Sequence, residues 1–186
     1  MGARGLINPG NDAEGPPRIA LIAALVLAAA AVGAALAVAA AHQPGRQPRE
    51  PLRVATVPAP GADDAACHAV LTALPQQLGN YRRTEIAPPV PAGVAAWAAD
   101  GGEPVVLRCG LDRPADFVVG SPIQVVDKVQ WFEVREGDRA TWYTVDRRVY
   151  LALTLPSDSG PTPIQELSDL IRTAVSAVPI RPAPPR

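Results

Sequence analysis

The chain has 186 residues, with 17 basic and 18 acidic side chains and a formal net charge of −1. This length leaves room for one compact domain beside tails and an apolar segment. The charge is uneven, because residues 63–178 contain ten basic and fifteen acidic side chains, a net charge of −5. An acidic domain is unsuited to phosphate backbones, so we exclude nucleic acid as a partner.

Residues 19–41, IALIAALVLAAAAVGAALAVAAA, form an uncharged apolar segment of 23 residues. As a helix it is just long enough to cross about 30 Å of hydrocarbon, although thirteen of its residues are alanine, which is nearly neutral for insertion. We predict a transmembrane helix or uncleaved signal anchor. The alternative is a signal peptide that is cleaved after small residues such as AVA at 37–39.

The remaining domain limits follow from this segment. Residues 1–18 are predicted to be a cytoplasmic tail, and the proline-rich residues 42–62 a semi-rigid linker. Residues 63–178 are predicted to form an extracytoplasmic α+β domain, and residues 179–186 a disordered tail. The predicted location is the cytoplasmic membrane, with a single pass and the C-terminal domain outside. Arginines lie on both sides of the segment, so the positive-inside rule does not decide this orientation.

Two patterns at helical spacing predict helices at the ends of the domain. The first carries Cys67 on its apolar face, begins at Asp63 or Asp64 as N-cap and ends near Pro75. The second begins at Thr162 as N-cap and continues to about residue 178.

The chain between the helices predicts strands. PVVLRCG at 104–110 is a short apolar strand, residues 129–145 form a hairpin that turns at 136–138, and residues 149–155 alternate with a period of two. The predicted fold is therefore α+β, a small antiparallel-rich sheet flanked by two helices.

Cys67 and Cys109 are the only cysteines. Each could be a small buried side chain, or the two could form an intramolecular disulfide. Because the chain has an export segment and no third cysteine, we predict the disulfide, which places the domain outside the cytoplasmic membrane. A metal site needs three or four converging ligands, and His68 points away from Cys67, so we predict neither a metal nor another cofactor.

Several stretches resemble an actinobacterial family catalogued as domain of unknown function 3515. They are ACHAVLTALPQQL, AAWAADGGEPVVLRCGL, WFEVREGDRATWYTVDRRVYLALTLP and LSDLIRTAV, and they contain Cys67, Trp97, Cys109, Trp131 and TVDR at 144–147. The resemblance covers residues 63–178 and includes the apolar segment. It implies an exported, membrane-tethered protein and implies no activity.

The stretch WYTVDRRVY at 142–150 is the candidate binding site. In a structural interpretation, Asp146 pairs with Arg147 or Arg148 and holds a corner between strands. In a functional interpretation, aromatic rings stack on a ligand while Arg147 meets a carboxylate or a sugar hydroxyl. The candidate binding residues are Trp142, Tyr143, Asp146, Arg147 and Tyr150.

No catalytic residue is predicted, because serine-hydrolase, nucleotide-binding and zinc-protease motifs do not occur in the sequence. Our hypothesis is a non-enzymatic cell-envelope interaction module that binds an envelope protein or a cell-wall component. The alternative is a small carbohydrate-active or peptidoglycan-processing enzyme that uses Asp146 and a second carboxylate. The enzyme requires a deep cleft with facing carboxylates, whereas the module requires a shallow aromatic or apolar surface.

Overall fold

The computed structural model of the protein describes residues 18–41 and 50–185. The chain divides into two units, Met1–Pro48 and Arg49–Arg186. In the first unit, α1 (Arg18–Ala41) is a helix of 24 residues with large apolar side chains exposed to solvent. Across the described residues, no helix is long and apolar enough to cross a membrane, so the predicted span is not confirmed. Most of the predicted cytoplasmic tail and residues 42–49 of the predicted linker lie outside the described residues.

The second unit contains two helices, α2 (Ala65–Ala73) and α3 (Thr162–Ala174), and eight strands. The strands are β1 (Gln77–Leu78), β2 (Tyr81–Arg83), β3 (Val94–Ala98), β4 (Val105–Leu111), β5 (Gln124–Val126), β6 (Val129–Glu136), β7 (Arg139–Thr144) and β8 (Tyr150–Pro156). They form one sheet in the order β1-β2-β3-β4-β8-β7-β6-β5. Every neighbouring pair is antiparallel, which confirms the predicted α+β class.

The helix ends follow local capping chemistry. Asp64 caps α2, because its Oδ1 accepts a hydrogen bond of 2.8 Å from the amide of Ala66. Leu74 ends α2 directly before Pro75, as predicted. In α3 the predicted cap is wrong by one residue, since Thr162 is already helical and Pro161 occupies the cap without a side-chain hydrogen bond.

Both helices cover the same face of the sheet, which we call the helix face. Apolar side chains of α2 and α3 and of six strands form one large buried cluster there. Trp131 on β6 donates a buried hydrogen bond of 2.9 Å from Nε1 to Ser168 Oγ on α3, so the polar atom of this large side chain is satisfied. The helices therefore pack side by side on one face instead of on opposite sides of the sheet.

Irregular chain covers the opposite face, which we call the loop face. Leu52 and Val54 pack against Ile86, Ala96 and Val106. Farther along the sheet, the rings of Phe117 and Phe132 lie 5.4 Å apart between centroids. The domain therefore extends beyond the predicted limits of 63 and 178. The strands also carry apolar side chains on the loop face, and the segments outside these limits bury them.

The C-terminal segment takes part in the same cover. Ala183 pairs with Val118 in an isolated parallel bridge, and its amide donates a hydrogen bond of 2.9 Å to the carbonyl of Phe117. The predicted tail thus contributes backbone hydrogen bonds to the domain.

Candidate functional site

The predicted disulfide is present between Cys67 and Cys109. Both cysteines are fully buried, and their Cα atoms are 5.6 Å apart. The bond connects α2 to β4 and therefore fastens the helix layer to the centre of the sheet.

Asp146 and Arg147 form a buried ion pair. Arg147 Nη1 lies 2.7 Å from Asp146 Oδ1, and the two side chains are 1% and 3% exposed. Asp146 Oδ1 accepts no hydrogen bond from the part of the chain that the structure describes. Instead, Nη1 of Arg147 donates to the backbone carbonyl of Asp146 at 3.1 Å, and Nη2 of Arg147 donates to the carbonyl of Lys128 at 3.3 Å. The amide of Val178 donates to the same Asp146 carbonyl at 2.9 Å. This geometry agrees with the interpretation in which Asp146 pairs with Arg147 and holds a corner between strands.

Burial removes both members of this pair from the surface, so neither can meet a ligand. Arg148 does not pair with Asp146, since its Nη2 lies 2.7 Å from Asp64 Oδ2 on the other side of the turn. The Asp64 carboxylate also caps α2. The hydrogen bond that it accepts from Ala66 has the largest effect on its pKa, which it lowers; burial opposes this effect, and Arg148 adds to it. The turn between β7 and β8 is a structural corner.

The three aromatic candidates do not share one surface. Trp142 packs against the buried cluster of the helix face, whereas Tyr143 pairs with Phe132 and Ala152 on the loop face. Tyr150 packs against Phe117 and Phe132 and therefore also lies on the loop face. Because neighbouring residues of a strand point to opposite faces, Trp142 and Tyr143 cannot stack on the same ligand.

Trp142 lines a groove at one end of the helix face, which we call the Trp142 groove. It encloses about 400 Å³ between the β6–β7 hairpin, the edge strand β5 and the start of α3. Its apolar lining residues are Val126, Ala140, Trp142, Leu155, Pro156, Pro161 and Ile164. Sequence reasoning identified Trp142 alone, because the other residues come from distant segments that meet only in the folded chain.

The charges at the Trp142 groove balance. Glu133 and Asp138 face Arg135 and Arg139 around its rim. Arg135 Nη2 pairs with Glu133 Oε1 at 2.7 Å, and Arg139 binds Glu103 outside the groove. The hydrogen bond from Arg139 lowers the pKa of Glu103. The groove therefore offers a ligand apolar surface and hydrogen-bonding groups rather than a net charge.

The loop face holds a second group of side chains, which we call the arginine–tyrosine patch. Its members are Arg108, Arg113, Tyr143, Tyr150 and Arg181. Burial raises the pKa of both tyrosines. Arg108 opposes this effect at Tyr143. Arg113 and Arg181 oppose it at Tyr150. The sequence contained one signal for this patch, since Arg108 is a single charge within the apolar strand VVLRCGL.

No group of carboxylate, histidine and cysteine side chains within the described residues is arranged to hold a metal ion. The fold and these surfaces define a disulfide-linked α+β domain with an eight-stranded antiparallel sheet and two surface sites. The family described as Protein of unknown function (DUF3515) matches residues 25–180, and the chain belongs to this family. No curated protein matches the chain, and no solved structure matches it.

Proposed function

We propose that the protein is a non-enzymatic interaction module of the cell envelope and that the Trp142 groove receives its partner. The observation that supports this function best is a half-buried tryptophan in an open, largely apolar groove with balanced charges. Tryptophan is prominent at binding surfaces because it adds a large contact area with few rotatable bonds.

The position of β5 favours an extended polypeptide as the partner. β5 ends the sheet and lines the groove through Gln124 and Val126. An edge strand offers unpaired backbone groups to another chain, and a strand added there would project alternate side chains into the groove. An apolar side chain of a partner protein would then lie on Trp142. An apolar part of a cell-wall component is the other occupant that the test must address.

The enzymatic alternative has no comparable support. It assigned catalysis to Asp146, whose side chain is almost fully buried against Arg147. A catalytic carboxylate must lie within hydrogen-bond reach of the reacting group, and no substrate reaches this one.

We further propose that the domain is exported and tethered to the cytoplasmic membrane through residues 19–41. The disulfide supports an oxidising compartment, and the uncharged apolar sequence supports an export segment. The protein should sediment with membranes and retain its N-terminus. Recovery from the culture medium with an N-terminus near residue 42 would assign a cleaved signal peptide, and free thiols in cells would exclude the oxidising compartment.

Site-specific photocrosslinking in cells tests the groove. A photoreactive residue replaces Arg135 or Gln165, two exposed positions at its rim, and the control replaces Thr72 on the outer side of α2. We expect one discrete adduct from the rim positions and none from Thr72. Trp142→Ala should abolish the adduct, and Gln165→Arg, which leaves the core unchanged, should weaken it. Equal adducts from all three positions would contradict the proposal.

A further inference from the structure

Arg108 has an unusual position for an arginine. It lies on β4 in the interior of the sheet, on the loop face, and its side chain is half-buried. Its Nε is buried without a hydrogen-bond partner, and its Nη2 makes one long bond of 3.4 Å to the carbonyl of Ala55. Among residues 18–41 and 50–185, no carboxylate forms an ion pair with Arg108.

Such a guanidinium group is costly to the folded protein. Removing a charge from water is unfavourable unless an opposite charge or a full set of hydrogen bonds replaces the water. Arg147 differs within the same domain, because that buried guanidinium group has a carboxylate and two backbone carbonyls beside it, although its Nε also lacks a hydrogen-bond partner among the described residues. The exposed part of the Arg108 guanidinium group, rather than the buried Nε, is where an anionic ligand would supply the missing counter-charge.

Two tyrosines lie on the same face as this guanidinium group. Arg108 and Tyr143 are the register partners of Ala152 on its two sides, so their backbones are about 10 Å apart with only a methyl group between them. The charge of Arg108 acts on the Tyr143 hydroxyl. Tyr150 precedes Ala152 by two residues on β8 and points to the same face.

Two further arginines extend the positive charge beyond Tyr150. Arg113 and Arg181 are exposed, and both charges act on the Tyr150 hydroxyl. Arg113 Nη1 lies 3.5 Å from the carbonyl of Arg181, which brings the two backbone segments together. Glu136 acts on Tyr143 from the end of β6, and the exposed Asp112 directly precedes Arg113 in the chain. The three arginines of the patch thus outnumber these two carboxylates on a domain that is acidic as a whole.

We propose that the arginine–tyrosine patch binds a carboxylate group of a ligand, with the Arg108 guanidinium donating to the carboxylate oxygens between the rings of Tyr143 and Tyr150. The planar fork of a guanidinium group matches a carboxylate with two parallel hydrogen bonds. The tyrosine rings can cover the part of the ligand next to the carboxylate, and Arg113 and Arg181 attract the anion. A peptide C-terminus and an acidic sugar both present this chemistry. The site is on the opposite face from the Trp142 groove and does not depend on its function.

Nuclear magnetic resonance titration of the domain tests the proposal with two carboxylate probes, N-acetyl-alanyl-alanine and glucuronate. Their neutral counterparts, the peptide amide and glucose, are the controls. We expect at least one carboxylate probe to shift the Arg108 Nε–H signal and the Tyr143 and Tyr150 ring signals in a saturable manner. The probe that saturates identifies the source of the carboxylate. Neutral counterparts that bind equally well, or inorganic phosphate that binds more tightly, would overturn the proposal.

Substitutions test the assigned roles. Arg108→Gln should weaken binding about tenfold or more, because a charge-assisted pair of hydrogen bonds is lost. Arg82→Gln removes an exposed arginine from β2 and should leave the affinity unchanged. Tyr143→Leu removes the ring that covers the ligand and should weaken binding severalfold, which provides a second test if Arg108→Gln does not fold. Unchanged affinity in either folded variant would show that the patch is not a carboxylate site.

Discussion

The two faces of the single sheet are built by different means. On the helix face, two amphipathic helices and a disulfide close one large core that contains Trp97 and Trp131. On the loop face, extended chain from both ends of the domain covers two small apolar clusters. Arg108 and Tyr143 lie half-buried on this face, and Tyr150 packs against the cluster of Phe117 and Phe132.

This difference shows how one sheet can separate stability from recognition. A helix packs a continuous apolar stripe and leaves little room for polar groups. Extended segments cover the sheet in strips, and the gaps between strips can hold charged and hydroxyl side chains that a core would exclude. Substitutions in the buried core of the helix face should therefore reduce stability, and those in the gaps of the loop face or at the rim of the Trp142 groove should mainly change binding.

The largest effect should come from Gly110, where the extended segment meets β4. A Cβ at Gly110 would lie 2.2 Å from the amide nitrogen of Ala62 and from the carbonyl carbon of Gly61, and its φ is +85°. Neither backbone can move freely, so we expect Gly110→Ala to yield little folded protein. Gly137→Ala is the control, since Gly137 has φ +62° but open space around it, and should cost about 1–2 kcal/mol. Urea unfolding compares the two, and equal losses would contradict the close packing of residues 61–62 on β4.

The ion pair at the corner should give the next largest effect. Asp146→Asn leaves the buried Arg147 charge without a counter-ion, so we expect a loss of about 3–5 kcal/mol in the free energy of unfolding. Arg148→Gln removes the neighbouring, exposed arginine and should change stability far less. Thermal unfolding measures both. An unchanged or raised melting temperature for Asp146→Asn would instead indicate a strained functional carboxylate.

Removing the disulfide tests the helix face directly. The double substitution Cys67→Ala and Cys109→Ala opens a loop with a sequence separation of 42, which corresponds to about 4 kcal/mol in the chain-entropy model. Urea unfolding of the variant and the oxidised protein gives the difference. Because both sulfurs are buried, reducing agent should leave the native protein intact until it unfolds. Rapid reduction under native conditions would contradict this burial.

The hydrogen bond between Trp131 and Ser168 is a smaller test of the same face. Ser168→Ala leaves a buried indole N–H unsatisfied and should cost about 1–3 kcal/mol. Thr173→Ala removes an exposed hydroxyl that bonds to the carbonyl of Asp169 in the same helix and should cost less. Equal losses in chemical unfolding would show that the buried bond does not stabilise the contact between α3 and the sheet.

The smallest effect concerns pH. Burial raises the pKa of Tyr143 and Tyr150 above the unfolded value of about 10. The folded state therefore favours the protonated phenols, and this stabilisation is present below pH 10 and is lost as the pH rises through the raised values. Arg108→Gln should raise the pKa of Tyr143 further and leave that of Tyr81, on the helix face, unchanged. Nuclear magnetic resonance titration of the rings measures this, and equal shifts of Tyr81 and Tyr143 would contradict the placement of Arg108 on the loop face.

The amino-acid sequence by itself predicted the two helices and the strands β4, β6, β7 and β8, but not β1, β2, β3 or β5. The helical spacing around Cys67 and within 162–178 and the alternation in 149–155 each specify which side chains are buried, because local periodicity matches local geometry. The cysteine pair followed from the export segment and the absence of a third cysteine. The alternation of β7 also places Trp142 and Tyr143 on opposite faces, because neighbouring residues of a strand point in opposite directions.

Only the tertiary structure decided the loop face and the choice of partners. Residues 50–59 and 179–183 have no periodicity, so nothing local indicates that they cover the sheet. Arg147 and Arg148 are adjacent and chemically identical, and their different partners, Asp146 and Asp64, depend on the position of α2 beside the corner. The Trp142 groove and the arginine–tyrosine patch combine residues that are distant in the chain. Their existence depends on strand order, since pairing brings together side chains that no sequence window contains.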